Sequence, residues 1–238
     1  MKNKYIFILC PHYQGSTIIL NLLNSSNKVS SFSHVNIVGE GTSLFKKADI
    51  NDFKVWSSGY DPNYFLDYKK VKEAYDTEWD YSKPILIEKC PMLISRAKEI
   101  EEYFSKFGDV YFIISIRSPY STDRYKNNSW IKAALAQKKN IETLKNKIIT
   151  TYEQLCLYPE KVIKKIQNRI PELNDLSLEI KIIELKNNKN KKLNDRQYEK
   201  IQKIHKDKVY RIIDKESKNK MLNNHKDLLK YFSYEYIE

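Results

Sequence analysis

Three short runs of apolar residues, each closed by a proline, set the rhythm of the chain. Tyr5-Ile-Phe-Ile-Leu-Cys10 meets Pro11, residues 84–88 (Pro-Ile-Leu-Ile-Glu) lead into Lys89-Cys90-Pro91, and Val110-Tyr-Phe-Ile-Ile-Ser-Ile116 stops at Arg117-Ser118-Pro119. Apolar runs without alternation are expected of strands covered on both faces, as in a parallel sheet. Between them apolar positions recur at helical spacing, as at Leu93, Ala97, Ile100 and Phe104. The pattern predicts strands at 4–10, 84–88 and 110–116, with shorter ones near Val29–Ser33 and Lys147–Thr150. It predicts helices at about 16–25, 93–106, 129–144 and 159–168, and a C-terminal third that is mostly helical, including the stretch from Arg196 to Ile204. Alternating strands and helices argue for a three-layer α/β/α domain with a central, mostly parallel sheet and a helical C-terminal third.

The first turn of this alternation carries the strongest chemical signal. Pro11-His-Tyr-Gln-Gly15-Ser-Thr17 joins a buried strand to the apolar helix that begins Ile18-Ile-Leu. A strand that feeds a helix through Gly-Ser-Thr presents backbone N–H groups, two hydroxyls and the positive end of a helix dipole to one place, which suits a phosphate. The plain alternative is an ordinary β–α turn in which Gly15 only permits the bend. Three of the five glycines, Gly15, Gly39 and Gly41, lie in or soon after this segment, which favours the phosphate reading. The arrangement is P-loop-like, but the Gly-x-x-x-x-Gly-Lys-Ser/Thr spacing of an NTPase loop is missing.

Ligands of open α/β sheets bind at the carboxyl ends of the strands. Lys89 and Arg117 would bring positive charge there from two further strand ends, where a charge beside buried strands needs a partner.

Composition narrows the class. With 238 residues and 41% hydrophobic content the chain suffices for one domain. No run approaches the roughly 20 apolar residues of a membrane span, so a soluble, cytoplasmic protein is expected. Cys10, Cys90 and Cys156 are scattered in apolar contexts and read as buried thiols, and His12, His34, His205 and His225 lack metal-ligand spacing. The formal net charge of +12 raises nucleic acid as a partner, but the lysines spread over outer helix faces read as solvated surface. The tract Lys186–Lys192 is denser and reads as a mobile basic loop.

Pro11 to Ser26 resembles the 5′-phosphosulfate loop of sulfotransferases, Pro-Lys/Arg-Ser-Gly-Thr-Thr before an apolar helix. Further matches follow in family order. Ile87-Glu-Lys-Cys-Pro-Met-Leu-Ile-Ser-Arg-Ala97 is similar to the Glu-Lys-Ser/Thr-Pro segment of the carbohydrate and tyrosylprotein branches. Phe112 to Tyr120 resembles the strand and Arg-x-Pro that bind the 3′-phosphate. Thr151-Tyr-Glu-Gln-Leu…Pro159-Glu-Lys-Val162 resembles a recurrent Tyr-Glu-Asp-Leu…Pro-x-x-Val element, and Leu228 to Glu235 is similar to the closing Phe-Gly-Tyr of some microbial members.

The resemblance implies a single sulfotransferase-like domain that moves a sulfuryl group from 3′-phosphoadenosine 5′-phosphosulfate to a hydroxyl or amine, with no required metal. It implies donor contacts from His12, Tyr13, Gln14, Gly15, Ser16 and Thr17, and a 3′-phosphate contact from Arg117. The loop is one residue longer than the family pattern, and His12 or Tyr13 stands where the family has its catalytic lysine or arginine. His12 could act protonated or as a neutral N–H donor, and Lys89 is the alternative cation. Where the family has a serine for the 3′-phosphate, eight residues after the arginine, this chain has Tyr125; Ser121, Thr122 or Arg124 could replace it. Glu40, in Gly39-Glu40-Gly41, is the first choice for the general base and His34 the second.

Two other classes stay open on sequence grounds: another P-loop transferase or kinase, for which no metal-holding aspartate stands out, and a non-enzymatic basic nucleic-acid-binding protein. The acceptor is not encoded in any motif. The stretch 42–82, with Trp56, Tyr60, Tyr64, Phe65, Tyr68, Tyr75, Trp79 and Tyr81, reads as an acceptor-side cap or as aromatic packing, with packing favoured.

Overall fold

Five parallel strands are laid out in the order β2-β3-β1-β4-β5 in a computed structural model of the chain, which describes residues 2–32, 39–50, 60, 63–121, 129–182, 197–200 and 215–234. The strands are β1 (Lys4–Leu9), β2 (Val29–Ser30), β3 (Ile85–Lys89), β4 (Asp109–Ile116) and β5 (Lys147–Thr151). β1 lies in the middle, with Ile6 opposite Ile87 of β3 and Tyr111 of β4. The chain builds the sheet first to one side of β1 and then to the other. This reversal opens a crevice at the carboxyl end of β1, where a ligand can lie between connections that leave in opposite directions.

The uninterrupted apolar runs are explained by cover on both faces. Tyr5, Phe7 and Leu9 point into an aromatic core with Tyr75, Trp79 and Phe104. Ile6, Ile8 and Cys10 point into an aliphatic core with Ile19, Leu23, Val162 and Ile166. The period-2 geometry of a strand sorts the alternate side chains to these two cores. Truncating one of these large side chains to alanine would cost about 2–5 kcal/mol.

The helices are α1 (Ser16–Leu23), α2 (Tyr68–Asp76), α3 (Ala97–Phe104), α4 (Ser129–Thr143), α5 (Tyr152–Leu157), α6 (Pro159–Arg169) and α7 (Lys215–Tyr231). Asp67 caps α2 by accepting from the Lys69 and Lys70 amides. Tyr75 and Trp79 of the aromatic stretch are core residues that pack against Phe32 and Phe104. Phe65 is 90% exposed, and Trp56 lies outside the described residues. No helix among the described residues is long and apolar enough to cross a membrane.

Three expectations need correction. The predicted helix 93–106 is a 3-10 segment over Pro91–Arg96 followed by α3. Arg96 between them leaves the helical region (φ −115, ψ 10), and Asn140 Nδ2 donates to the Ile94 carbonyl at 2.9 Å within the 3-10 segment. Lys89 closes β3 rather than following it. Gln197–Lys200, read as helical, is instead strand β7, paired antiparallel with β6 (Glu179–Ile182); the ladder hydrogen bonds override a weak helical spacing. The basic tract Lys186–Lys192 lies outside the described residues.

Candidate active site

At the end of β1 the chain turns sharply. The Gln14 amide donates to the Pro11 carbonyl at 3.2 Å, and both Tyr13 (φ 60) and Gly15 (φ 96) adopt the left-handed region. At Gly15 a glycine is required twice over, because a Cβ there would also lie 2.5 Å from Tyr152 Cδ2. Gly15 is the N-cap of α1, whose first turn has no side-chain cap and no acidic residue. The start of α1 thus keeps its positive end without a local anion. Burial pushes the Cys10 thiol, just before the loop, up to about 12, against smaller opposing effects of Ser115, Lys89 and the Ser16 amide; this cysteine is an inert packing group.

The second cluster joins β3 to the turn Gly39-Glu40-Gly41. Lys89 Nζ donates to Glu40 Oε1 at 2.9 Å, with 1% of the lysine side chain and 16% of the glutamate side chain exposed. The turn is held by Gly39 in the left-handed region and by the Tyr75 ring, which lies 2.6 Å from where a Gly41 Cβ would be. Glu40 is therefore a paired carboxylate aimed at the strand ends rather than a solvent-facing turn residue.

His12 completes this cluster. Its amide donates to the Tyr60 hydroxyl at 3.1 Å, and its Nε2 lies 3.1 Å from Met92 Sδ. Burial lowers the imidazole pKa, with Glu40 raising it and Lys89 lowering it further, so the ring is neutral at physiological pH. Next to Lys89, the Glu88 carboxyl is fully buried, and that burial raises its pKa to about 8, with Glu40 adding to the rise and Lys89, the Gly41 amide and Tyr75 opposing it. The positive charge of Lys89 is thus balanced by Glu40, while Glu88 keeps its proton at neutral pH.

The third cluster surrounds Arg117. Its guanidinium stacks on the Tyr152 ring, 4.2 Å from the centroid, and the edge of that ring is the surface that Gly15 contacts. The Arg117 amide donates to Gln14 Oε1 at 2.7 Å, the Arg117 carbonyl accepts from Trp130 Nε1 at 2.8 Å, and the Ser118 amide donates to Glu153 Oε1 at 2.9 Å. The other oxygen of Glu153 accepts from the Tyr234 hydroxyl at 2.9 Å. Four separate segments thereby fix the backbone at the end of β4.

Of the residues singled out by sequence, the fold brings His12, Glu40 and Lys89 together and sets both Gly15 and Arg117 against Tyr152. Tyr13 is 66% exposed at the loop tip. Gln14 is fully buried with its side chain turned onto the Arg117 amide. Ser16 is buried and Thr17 half-buried in the first turn of α1. Ser121 lies in the 3-10 turn Pro119–Ser121; His34, Thr122, Arg124 and Tyr125 lie outside the described residues. The sequence reading missed the clamp roles of Gln14, Trp130 and Tyr234 and the burial of Glu88. Only Glu88 had a signal, being a charged residue inside an apolar strand.

No protein-family model matches the chain, and no curated protein does. Among solved structures, the sulfotransferase domain from the Synechococcus PCC 7002 olefin synthase superposes with a TM-score of 0.53 at 17% identity, covering 100% of this chain and 98% of that domain. This chain has a sulfotransferase-like fold. The sulfotransferase domain from the curacin biosynthetic pathway is also similar, with a TM-score of 0.43 at 16% identity over 72% of this chain and 76% of that one. The parallel pairing of β3, β1 and β4 places the loop 11–17 and the carboxyl ends of β3 and β4 side by side at one end of the sheet, so the three clusters above form one candidate site.

Proposed function

We propose that the chain transfers a sulfuryl group from 3′-phosphoadenosine 5′-phosphosulfate to a hydroxyl or amine acceptor. The observation that carries this reading is the Lys89–Glu40 pair beside His12, next to an uncapped helix start and at the same end of the sheet as Arg117. The first turn of α1, with Gly15, Ser16 and Thr17, would bind the 5′-phosphosulfate end through amides and hydroxyls. Arg117 would bind the 3′-phosphate, its guanidinium kept planar against Tyr152.

Transfer is an in-line displacement at sulfur. The acceptor oxygen forms the new S–O bond as the bond to the phosphate bridge oxygen breaks, and the acceptor proton goes to Glu40. Protonation cancels the charge that holds Lys89 to Glu40. The lysine ammonium is then available to the bridge oxygen, where negative charge develops as adenosine 3′,5′-bisphosphate leaves. Neutral His12 supplies a hydrogen bond rather than a charge. In this division of labour Lys89 does the work that the loop's missing lysine or arginine does in the family.

The test is a thermal-shift titration with adenosine 3′,5′-bisphosphate in the presence of EDTA. Marked stabilisation of the wild type and its loss in Arg117→Ala is the expected result. Absence of any shift at millimolar ligand would overturn the reading.

A further inference from the structure

Gln14 is a fully buried polar side chain that links two loops without belonging to either core. It sits in the turn after β1, 103 positions before Arg117, and its Oε1 accepts the Arg117 amide at 2.7 Å. Its Nε2 is buried and has no hydrogen-bond partner among the described residues. A buried amide that leaves one donor unsatisfied costs stability, and a leucine or methionine would fill the same space without that cost. The bond it does make is therefore the feature to explain.

We propose that Gln14 is a positioning residue that couples the two anion-binding loops, so that occupation of one end of a bisphosphate nucleotide favours occupation of the other. The proposal rests on the donor reading given above. Its physical basis is that the same loop carries Tyr13 and Gly15, whose left-handed backbone shapes it, and Gln14, which holds the Arg117 backbone. A shift of that turn on binding at the start of α1 is passed to the Arg117 amide through one short hydrogen bond. The Tyr152 ring, with Gly15 at its edge and Arg117 stacked over its face, keeps the two loops in register. Glu153, itself held by the Tyr234 hydroxyl, fixes the Ser118 amide, so displacement at Gln14 turns the arginine rather than being absorbed by the loop.

The experiment measures affinities for adenosine, adenosine 5′-monophosphate, adenosine 3′-monophosphate and adenosine 3′,5′-bisphosphate by calorimetry. Coupling is the product of the two monophosphate dissociation constants divided by the product of those for adenosine and the bisphosphate. For the wild type a coupling of roughly five- to tenfold is expected. In Gln14→Met it is expected to fall to about one while each monophosphate binds within about threefold of its original affinity. Trp130→Phe, which removes a different bond to the same loop, is expected to weaken 3′-phosphate binding and keep the coupling. Undiminished coupling in Gln14→Met, or none in the wild type, overturns the proposal while leaving the donor reading intact.

Wild-type protein provides a second measurement that does not depend on the variant folding. Adenosine 5′-monophosphate, which carries no 3′-phosphate, is expected to slow hydrogen exchange of the Arg117 amide by roughly fivefold. Unchanged exchange overturns the coupling. If the wild type binds no bisphosphate at all, the donor reading fails first and the coupling falls with it.

Discussion

Lys89 donates to Glu40 across 2.9 Å from a side chain that is 1% exposed, whereas the glutamate keeps 16% of its own surface. The pair is thus asymmetric. Removing the glutamate strands a buried ammonium, and removing the lysine leaves a carboxylate that water can still reach. Glu40→Gln should therefore destabilise the fold more than Lys89→Met, by about 3 kcal/mol against about 1–2. The double variant should be more stable than Glu40→Gln alone. Urea unfolding of the three variants measures this ordering.

Catalysis should separate the same lysine from the histidine of the loop. His12 is held neutral by burial, so Glu40 and Lys89 carry the charge in the cluster. His12→Gln, which keeps a donor, should retain kcat within about tenfold, while Lys89→Met should lose a factor of about 10²–10³. Turnover of 3′-phosphoadenosine 5′-phosphosulfate with an accepted hydroxyl compound is the assay. An equal loss in both variants would contradict the assignment of the cation to Lys89.

Glu88 sets a pH dependence of stability. Its pKa is raised by burial to about 8 in the fold, against about 4.3 in an unfolded chain. Between these values the folded state holds a proton that the unfolded state has lost, so this group lowers stability as pH rises, by about 1.4 kcal/mol per pH unit at most. Above pH 8 the contribution levels off. Glu88→Gln removes the slope, and the difference between wild type and variant, followed by urea unfolding from pH 5 to 9, should move in favour of the variant as pH rises.

Gly15→Ala should fail for two reasons that can be separated. The φ of 96° strains any side chain, and the new Cβ would strike Tyr152. A loss of about 2 kcal/mol or more and the disappearance of the nucleotide-induced thermal shift are expected. Adding Tyr152→Ala relieves the collision but not the backbone strain. Measured against Tyr152→Ala alone, Gly15→Ala should therefore cost less than it does in the wild type without becoming neutral, and the nucleotide shift should stay weak because Arg117 has also lost its stacking surface.

The strands were legible because two-sided burial leaves an unbroken apolar run that no solvent-facing element needs, as at Phe112 to Ile114. The helix over 93–106 was misjudged because its apolar spacing does not mark the non-helical backbone at Arg96, and the Asn140 bond to the Ile94 carbonyl comes from another helix, 46 positions away. Strand β7 was misjudged because its helical spacing does not show the antiparallel partner β6, in which Ile182 pairs with Gln197 from 15 positions earlier in the chain. In the candidate site, Lys89, Arg117 and Gly15 were legible as charges and a glycine at or just after strand ends, and Glu40 through the Gly39-Glu40-Gly41 turn and the family resemblance. Gln14 was counted with the loop, but its burial and its bond to the Arg117 amide were not visible.

The sequence by itself determined the alternation of strands and helices, the turn after β1, and the residue types that reach the carboxyl ends of β1, β3 and β4, since these follow from local periodicity and from glycine and proline. Tertiary structure decided which charges meet. Glu40 finds Lys89 across 49 positions and Gln14 finds Arg117 across 103, and such pairings depend on the strand order β2-β3-β1-β4-β5. A charge or an amide carries no local mark of its future partner; the parallel crossovers that stack the sheet bring the two together.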